Sequence, residues 1–413
     1  MNLGHTVEDL VEFLCTRSFF ADFTFRSPKY RKSNGQEKEA ADVLVVFGGT
    51  LLAIQVKTKA VETPCGQISH VEGARLSRKL EETFRQFRAL AEALNSPGFT
   101  SFENGRGISV SFDKKKITDI VLVIVFEPLS KDHPERPVKI EAPFLQEGEL
   151  PVHLFTLREF SLLLTLADTL PDFLFYLDAR WALRREKLIP PNTDPSDEWA
   201  FIAFERRKVG AVLANRSFVD LAGFATRHGT SIARLEKKEK LSYFIDDLIE
   251  ALYLAVGSEV PVHPEFVLLE IPNSAGAYQL MIPHLAKLDR SERRLMVEFL
   301  FNRVRACRGK ELSFRCFKFS EESSEGFVVL ASKAQRKLRQ VALHNIMRGA
   351  AFRLGATTIL GIAVGDNWPK SEGCDLMVMD CSMLEVDEDI KMMSQEAFGK
   401  PYRSSEKRGR WLR

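Results

Sequence analysis

The first 130 residues alternate between apolar and polar positions in a readable order. Val7, Leu10, Val11 and Leu14 recur at helical spacing, so residues 6–20 are predicted to be a helix, with Thr6 as its N-cap. ADFTFR at 21–26 alternates as a strand does, and the polar, basic stretch 27–39 reads as a loop. Two apolar runs follow, ADVLVVF (41–47) and TLLAIQVK (50–57), separated only by Gly48 and Gly49. Two glycines between β-branched runs predict a hairpin with a primed tight turn. Leu76, Leu80, Phe84, Phe87, Ala91 and Leu94 form one stripe of a long amphipathic helix over 70–95. ITDIVLVIVF at 117–126 reads as a buried strand, and Lys114–Lys116 just before it as a charged turn. A strand at 152–157 leads into a helix over 158–183.

The stretch 188–198, LIPPNTDPSDE, combines prolines with acids and is the expected connector. The expected division is therefore an α/β domain over 1–185, with a mixed central sheet flanked by helices, a linker over 186–198, and a second α/β or α+β domain over 199–413. In that second part, helices are predicted near 217–227, 240–255, 289–306 and 332–353. Strands are predicted near 265–271, 313–319, 326–330, 358–364 and 375–380. No internal repeat is visible. The basic final residues, KPYRSSEKRGRWLR, are expected to be a mobile tail.

Composition narrows the class. Of 413 residues, 45% are hydrophobic and 28% charged, which fits packed domains and excludes a disordered chain. Net charge is +2, so any nucleic-acid surface must be local. The six cysteines form no C-x-x-C pair and no zinc-type spacing with histidine, so they read as reduced core thiols. The start of the chain lacks the pattern of a signal peptide, and no apolar run is long enough to span a bilayer, so a cytoplasmic protein with no membrane partner is expected.

The chemistry concentrates in the hairpin. A two-residue turn pairs Phe47 with Thr50, and every further pair keeps the same sum of residue numbers. Asp42 then falls opposite Gln55, and Lys57, two residues on, shares their face. The remaining hairpin positions are apolar on both sides, as in a strand pair covered by helices on both faces. A carboxylate and an ammonium at the edge of so dry a structure are costly unless paired or used. Taken singly, Asp42 reads as a strand-end cap and Lys57 as a solvated strand end; it is their conjunction that points to a site. Asp42, the Gln55 amide oxygen and the Val56 carbonyl are hard oxygen ligands suited to Mg²⁺ or Mn²⁺. A lysine beside them suits the handling of water or phosphate charge.

The sequence E-x-x-D at 39–42, followed by Q-x-K at 55–57, resembles the PD-(D/E)XK (restriction endonuclease-like) nuclease superfamily in its Q-x-K variant. The resemblance covers the first helix, the hairpin, and the helix and strand that follow, roughly residues 5–130. It implies a restriction-endonuclease-like mixed sheet flanked by helices and a metal-dependent endonuclease that hydrolyses phosphodiester bonds in DNA, in restriction or anti-phage defence. It makes Asp42 the principal metal ligand, places Gln55 where most members carry an acid, and makes Lys57 the catalytic lysine. A glutamate of the first helix completes the metal site in many members; Glu8 and Glu12 both qualify, Glu8 ahead of Glu12, and Glu39 is a further candidate. Gln55 removes one negative charge and so weakens metal binding. The other readings are an inactive nuclease-fold binding or regulatory module and an RNA-cleaving enzyme. Lys59, Arg75, Arg78 and Lys79 are the candidate phosphate contacts, with the solvated face of an amphipathic helix as the plain alternative for the last three. A homodimer is expected by analogy with nucleases that bring two sites to two strands.

Overall fold

The computed structural model describes residues 3–31, 35–61, 70–94, 101–111, 113–130, 144–147, 150–190, 193–257, 276–369, 374–382, 390–392 and 394. The chain divides into two compact units, residues 1–235 and 236–413. Each contains helices and a sheet of its own.

Unit 1 opens with α1 (Leu3–Phe19), which starts before Thr6 and so does not use it as a cap. Val7, Val11, Cys15 and Phe19 are buried, at the helical spacing expected of a core-facing stripe. Strand β1 (Thr24–Arg26) follows, and then β2 (Lys29–Arg31) and β3 (Glu37–Glu39) form a small antiparallel ribbon within the expected loop. The hairpin strands are β4 (Val43–Phe47) and β5 (Thr50–Val61), in the expected register: Phe47 opposite Thr50, through to Val43 opposite Ile54. Gly48 carries φ +59, which a primed turn requires and a side chain resists. Gly49 is needed for room: a Cβ there would stand 2.6 Å from Thr118 Oγ1.

Helix α2 (His70–Leu94) then crosses one face of the sheet. A second small ribbon, β6 (Ser101–Glu103) with β7 (Ser109–Ser111), follows, and Lys114–Lys116 form a short 3-10 turn. Strand β8 (Asp119–Ser130) returns parallel to β5, and β10 (Leu150–Thr156) lies parallel to β8, with β9 (Phe144–Glu147) antiparallel at the edge. The mixed sheet therefore has six strands in the order β1-β4-β5-β8-β10-β9. On one face, Leu44, Leu51, Ala53, Leu122 and Ile124 pack with Phe87, Leu90 and Leu94 of α2. Val43, Val45, Leu52, Ile54 and Val56 point to the opposite face and are buried too, so the hairpin is dry on both sides.

The helix expected over 158–183 is two: α3 (Leu157–Leu166), opened by a Thr156/Glu159 capping box, and α4 (Leu170–Arg185), capped by Thr169. Pro171 has no N–H and fits only in a first turn, so the chain restarts there.

The expected boundary at 186–198 does not divide the chain. Leu188 and Ile189 are buried, and α5 (Pro195–Phe204) begins inside the stretch. Glu198 is fully buried: it accepts from Tyr176 Oη at 2.8 Å and from Arg184 Nε at 2.8 Å, and pairs with Arg180 at 2.8 Å. A carboxylate so held ties α5 to α4. Helices α6 (Arg206–Asn215) and α7 (Phe224–Glu239) follow. The helix expected at 217–227 starts only at Phe224, because Gly223 is left-handed and Asp197 accepts the Gly223 and Ala225 N–H groups at 2.8 Å, capping the new helix.

Unit 2 carries α8 (Tyr243–Gly257), α9 (Gly276–Ala286), α10 (Arg290–Cys307) and α11 (Arg336–Leu354). Its sheet runs β11-β12-β13-β14, with β11 (Leu312–Phe317), β12 (Glu325–Ser332), β13 (Thr358–Gly365) and β14 (Asp375–Asp380). Four of the predicted strands are therefore present, while the fifth, 265–271, lies outside the described residues, as does the basic tail. No helix among the described residues is long and apolar enough to cross a membrane.

Candidate active site at the end of the hairpin

The turn fixes more than register. It makes Phe47 and Thr50 a hydrogen-bonded pair, so Thr50, Leu52, Ile54 and Val56 direct their N–H and C=O groups toward β4. Strand β4 begins at Val43, which leaves Val56 with no backbone neighbour on that side of the ladder. Asp42, one residue before the strand, fills the gap with its side chain: its Oδ2 accepts the Val56 N–H at 2.5 Å. Its own carbonyl accepts from the Ser27 N–H at 2.9 Å. Asp42 is thus a cap in the plain sense, and by the same geometry its carboxylate stands on the side to which the Val56 carbonyl points.

Gln55 is almost fully buried, at 4% exposure, and Lys57 partly so. Lys57 Nζ donates to Gln55 Oε1 at 3.0 Å, which puts the two on one face, the α2 face. Asp42, Gln55 and Lys57 are therefore gathered at one end of the sheet.

Electrostatics set Asp42 apart from an ordinary surface acid. Burial pushes its carboxyl up from 3.8 to about 6, against the pull of Lys57 and of the Val56 N–H; the charges of Glu39 and Glu8 push the same way as burial. Asp42 thus feels Glu8 from α1 and Glu39 from the end of β3. Glu12, the other candidate of α1, is not brought into this set. Its carboxylate pairs with Arg26 at 3.0 Å, and Arg26 also binds Asp9, so an arginine on β1 draws Glu12 away. One acid that the sequence reading passed over, Glu127, closes the apolar run of β8 beside Thr58, and burial raises its carboxyl.

The basic candidates divide. Lys79 Nζ donates to the Thr58 carbonyl at 2.7 Å, stitching α2 to the end of β5. Arg78 is exposed. The side chains of Lys59 and Arg75 lie outside the described residues.

Among the described residues, no three His, Cys, Asp or Glu side chains come close enough to hold a metal ion together. The oxygen donors at hand are one carboxylate, one side-chain amide and one backbone carbonyl. This set suits a hard cation that keeps several waters, as Mg²⁺ does, better than a cation that demands a full protein cage. Compared with known proteins, the chain matches no family model, no curated protein and no solved structure.

Proposed function

We propose that unit 1 is the catalytic unit of a divalent-metal-dependent nuclease that hydrolyses phosphodiester bonds in DNA. The observation that carries this reading is the convergence of Asp42, Gln55 and Lys57 at one end of a hairpin buried on both faces. The order of helix, hairpin, helix and parallel strand, in a mixed sheet flanked by helices, supports it, since the PD-(D/E)XK resemblance implies that arrangement.

In this reading Asp42 and Lys57 have one task each, and Gln55 Oε1 is shared between the metal and the Lys57 ammonium, one lone pair for each. Asp42 and Gln55 present oxygens, with the Val56 carbonyl beside them, to a Mg²⁺ or Mn²⁺ ion, which when bound supplies water activation and neutralises phosphate charge. The Val56 N–H orients Asp42 through Oδ2. Gln55 holds the Lys57 ammonium through its Oε1, so the charge is aimed rather than free to wave. Lys57 steadies the attacking water or the charge that builds on the phosphate. Because Asp42 must be ionised to bind a cation, activity should rise as pH passes about 6.

A binding module without turnover is the second reading, favoured by the single carboxylate of the trio and by the lack of a three-acid group among the described residues. One experiment separates the two. Purified protein is incubated with labelled single- and double-stranded DNA and RNA in Mg²⁺, Mn²⁺ or EDTA. Cleavage of DNA with metal, and none with EDTA, is expected. Lys57→Ala should fold normally and lose roughly 10² to 10⁴ in rate. Gln55→Glu adds an anionic ligand and should lower the Mg²⁺ concentration needed. Cleavage by Lys57→Ala at the wild-type rate would place the chemistry elsewhere, metal-independent binding without cleavage would favour the second reading, and preferential cutting of RNA would change the substrate.

A further inference from the structure

A cleft of about 350 Å³ opens between α5, α6, α7 and the loop that joins α6 to α7; no residue of the trio lines it. Its walls are anchored. Glu198 ties α5 to α4 and Asp197 caps α7, so that Phe201 and Phe224 meet edge to face, with ring centroids 5.6 Å apart. Arg216 ends α6 in the left-handed region, at φ +48. The loop beyond it is pinned twice: the Ser217 N–H donates to the Val212 carbonyl at 3.0 Å, and the Val219 N–H to the Leu188 carbonyl at 2.8 Å. Ser217 and Val219 both line the cleft, and Phe218 between them is 64% exposed. A lone exposed apolar side chain is ordinary. One held on anchored backbone at the lip of an apolar cleft extends that cleft's contact surface.

The lining has two characters. Its floor is apolar, from Phe201, Val212, Val219 and Phe224. Its rim is basic: Lys208 and Arg227 stand there, and the His228 ring lies against Phe224, centroids 4.2 Å apart and 25° from parallel. The acid in the lining, Asp220, is turned to its own backbone, where Oδ1 accepts the Ala222 N–H at 3.0 Å. Lys208 meets Glu205 at 2.6 Å but is 63% exposed, and so open a pair yields readily to a competing anion. Arg227 donates from Nη1 to the Ala222 carbonyl, which engages only part of a group with five N–H donors. Arg234, exposed two turns further along α7, continues the side of Arg227.

Such a cleft suits a ligand that is planar and apolar in one part and anionic in another. An aliphatic ligand would strip water from the cations without replacing it. A simple phosphate would leave the apolar floor wet. A nucleotide answers both, with its base on the floor and its phosphate at the rim. Phe218 outside the cleft and Arg234 beyond it offer more than one free nucleotide can cover, and they fit a strand that continues past the seated base. A duplex keeps its base faces stacked and cannot fill the floor. We infer that the cleft binds single-stranded DNA, with one unstacked base over Phe201 and Phe224, its neighbour stacked on Phe218, and the flanking phosphates at Lys208 and Arg227. The choice of DNA rests on the nuclease reading of unit 1; the binding itself requires no hydrolysis.

The test measures binding of the full chain to fluorescein-labelled oligo(dT) of about 16 nucleotides, in EDTA so that nothing is cut. Wild type should bind it more tightly than a duplex of the same length. Phe218→Ala should weaken binding roughly 5- to 150-fold, as loss of a stacking ring does, whereas Phe218→Trp should retain it. Ala211→Trp, which fills the cleft from an exposed position on α6, should weaken it to a similar degree. Lys208→Ala should reduce the slope of log affinity against log salt by roughly 0.7. All three positions are exposed, so thermal midpoints should stay at the wild-type value. Wild-type affinity in either Phe218→Ala or Ala211→Trp would overturn the inference. So would tighter binding of oligo(U) or of the duplex, or thymidine monophosphate competing as well as oligo(dT) at equal nucleotide concentration. The nuclease reading fails separately. Binding that depends on Phe218, with no metal-dependent cleavage by wild type, sinks the hydrolytic reading and leaves the cleft standing. Cleavage that depends on Lys57, with binding indifferent to Phe218, does the reverse.

Discussion

Asp42 in unit 1 and Asp375 in unit 2 both stand at the start of a strand antiparallel to one of a parallel pair, Asp42 beside the first strand of its pair and Asp375 beside the second. Asp42 immediately precedes its strand and Asp375 opens its own. Their surroundings treat them in opposite ways. Asp375 is held by two arginines and a glutamine, so burial is offset by charge and hydrogen bonds. Asp42 accepts a backbone N–H and feels one lysine, while two glutamates press on it, and its carboxyl rises to about 6. A carboxylate that burial has made uncomfortable retains affinity for a cation; one already neutralised does not. The contrast therefore separates an acid whose charge is balanced by its partners from one that its surroundings leave strained.

The largest effect expected from this contrast lies in unit 2. Asp375→Ala removes the carboxylate from between Arg336 and Arg339 and leaves their charges facing one another in the interior. Breaking a buried pair in this way typically costs about 3 to 5 kcal/mol. The variant should lower the denaturation midpoint of unit 2 markedly while leaving metal binding by unit 1 intact. A loss below about 1 kcal/mol would mean that the cluster is solvated and that the comparison with Asp42 does not hold.

Asp42 should behave in the opposite sense. Its folded-state value lies above 3.8, so folding favours the protonated form. The associated stability is complete below about pH 3.8 and is lost as pH rises through about 6. Two units correspond to at most about 3 kcal/mol, less where water reaches the carboxylate. Asp42→Asn can still accept the Val56 N–H and carries no charge to bury. Relative to wild type, it should gain thermal stability progressively between about pH 4 and 6, level off above, and bind no Mn²⁺. If the gap between the two proteins is flat across that range, Asp42 is not strained by burial.

The hairpin was legible from sequence because its information is local. Two glycines fix the turn, the period of two fixes the faces, and counting outward brings Asp42 to Gln55. The ladder ends one pair short of them, and the Asp42 side chain takes the place of the missing backbone acceptor. The boundary between units was not legible, because Glu198 in a proline- and acid-rich stretch looks the same whether it faces water or meets Arg180 and Arg184. Nor could the preference between Glu8 and Glu12 be argued from spacing alone; it depends on Arg26, which comes from β1. The strands of unit 2 could be found from their β-branched runs, but the order in which they pair could not, because pairing joins residues far apart in the chain.

Lys79 gives the smallest and most discriminating expectation. By sequence it is a candidate phosphate contact or part of a helix's solvated face; by structure its ammonium is bonded to the Thr58 carbonyl, one residue beyond Lys57. That bond closes α2 over the end of β5 on the side where Gln55 and Lys57 lie. If its role is to hold the helix, Lys79→Ala removes one hydrogen bond from a charged donor, at a cost of about 1.5 to 3 kcal/mol before water re-solvates the carbonyl, and in practice nearer the lower figure at a partly exposed site. The salt dependence of DNA binding should then be unchanged. If the ammonium instead turns outward to a phosphate, stability should hardly move, and the slope of log affinity against log salt should fall by roughly one. Arg78, exposed on the same helix, is the internal control, since Arg78→Ala can shift the salt slope but has no such bond to lose. Measuring both slopes and both midpoints assigns Lys79 to one role, and a fall in salt slope without a fall in midpoint would return it to the nucleic-acid surface.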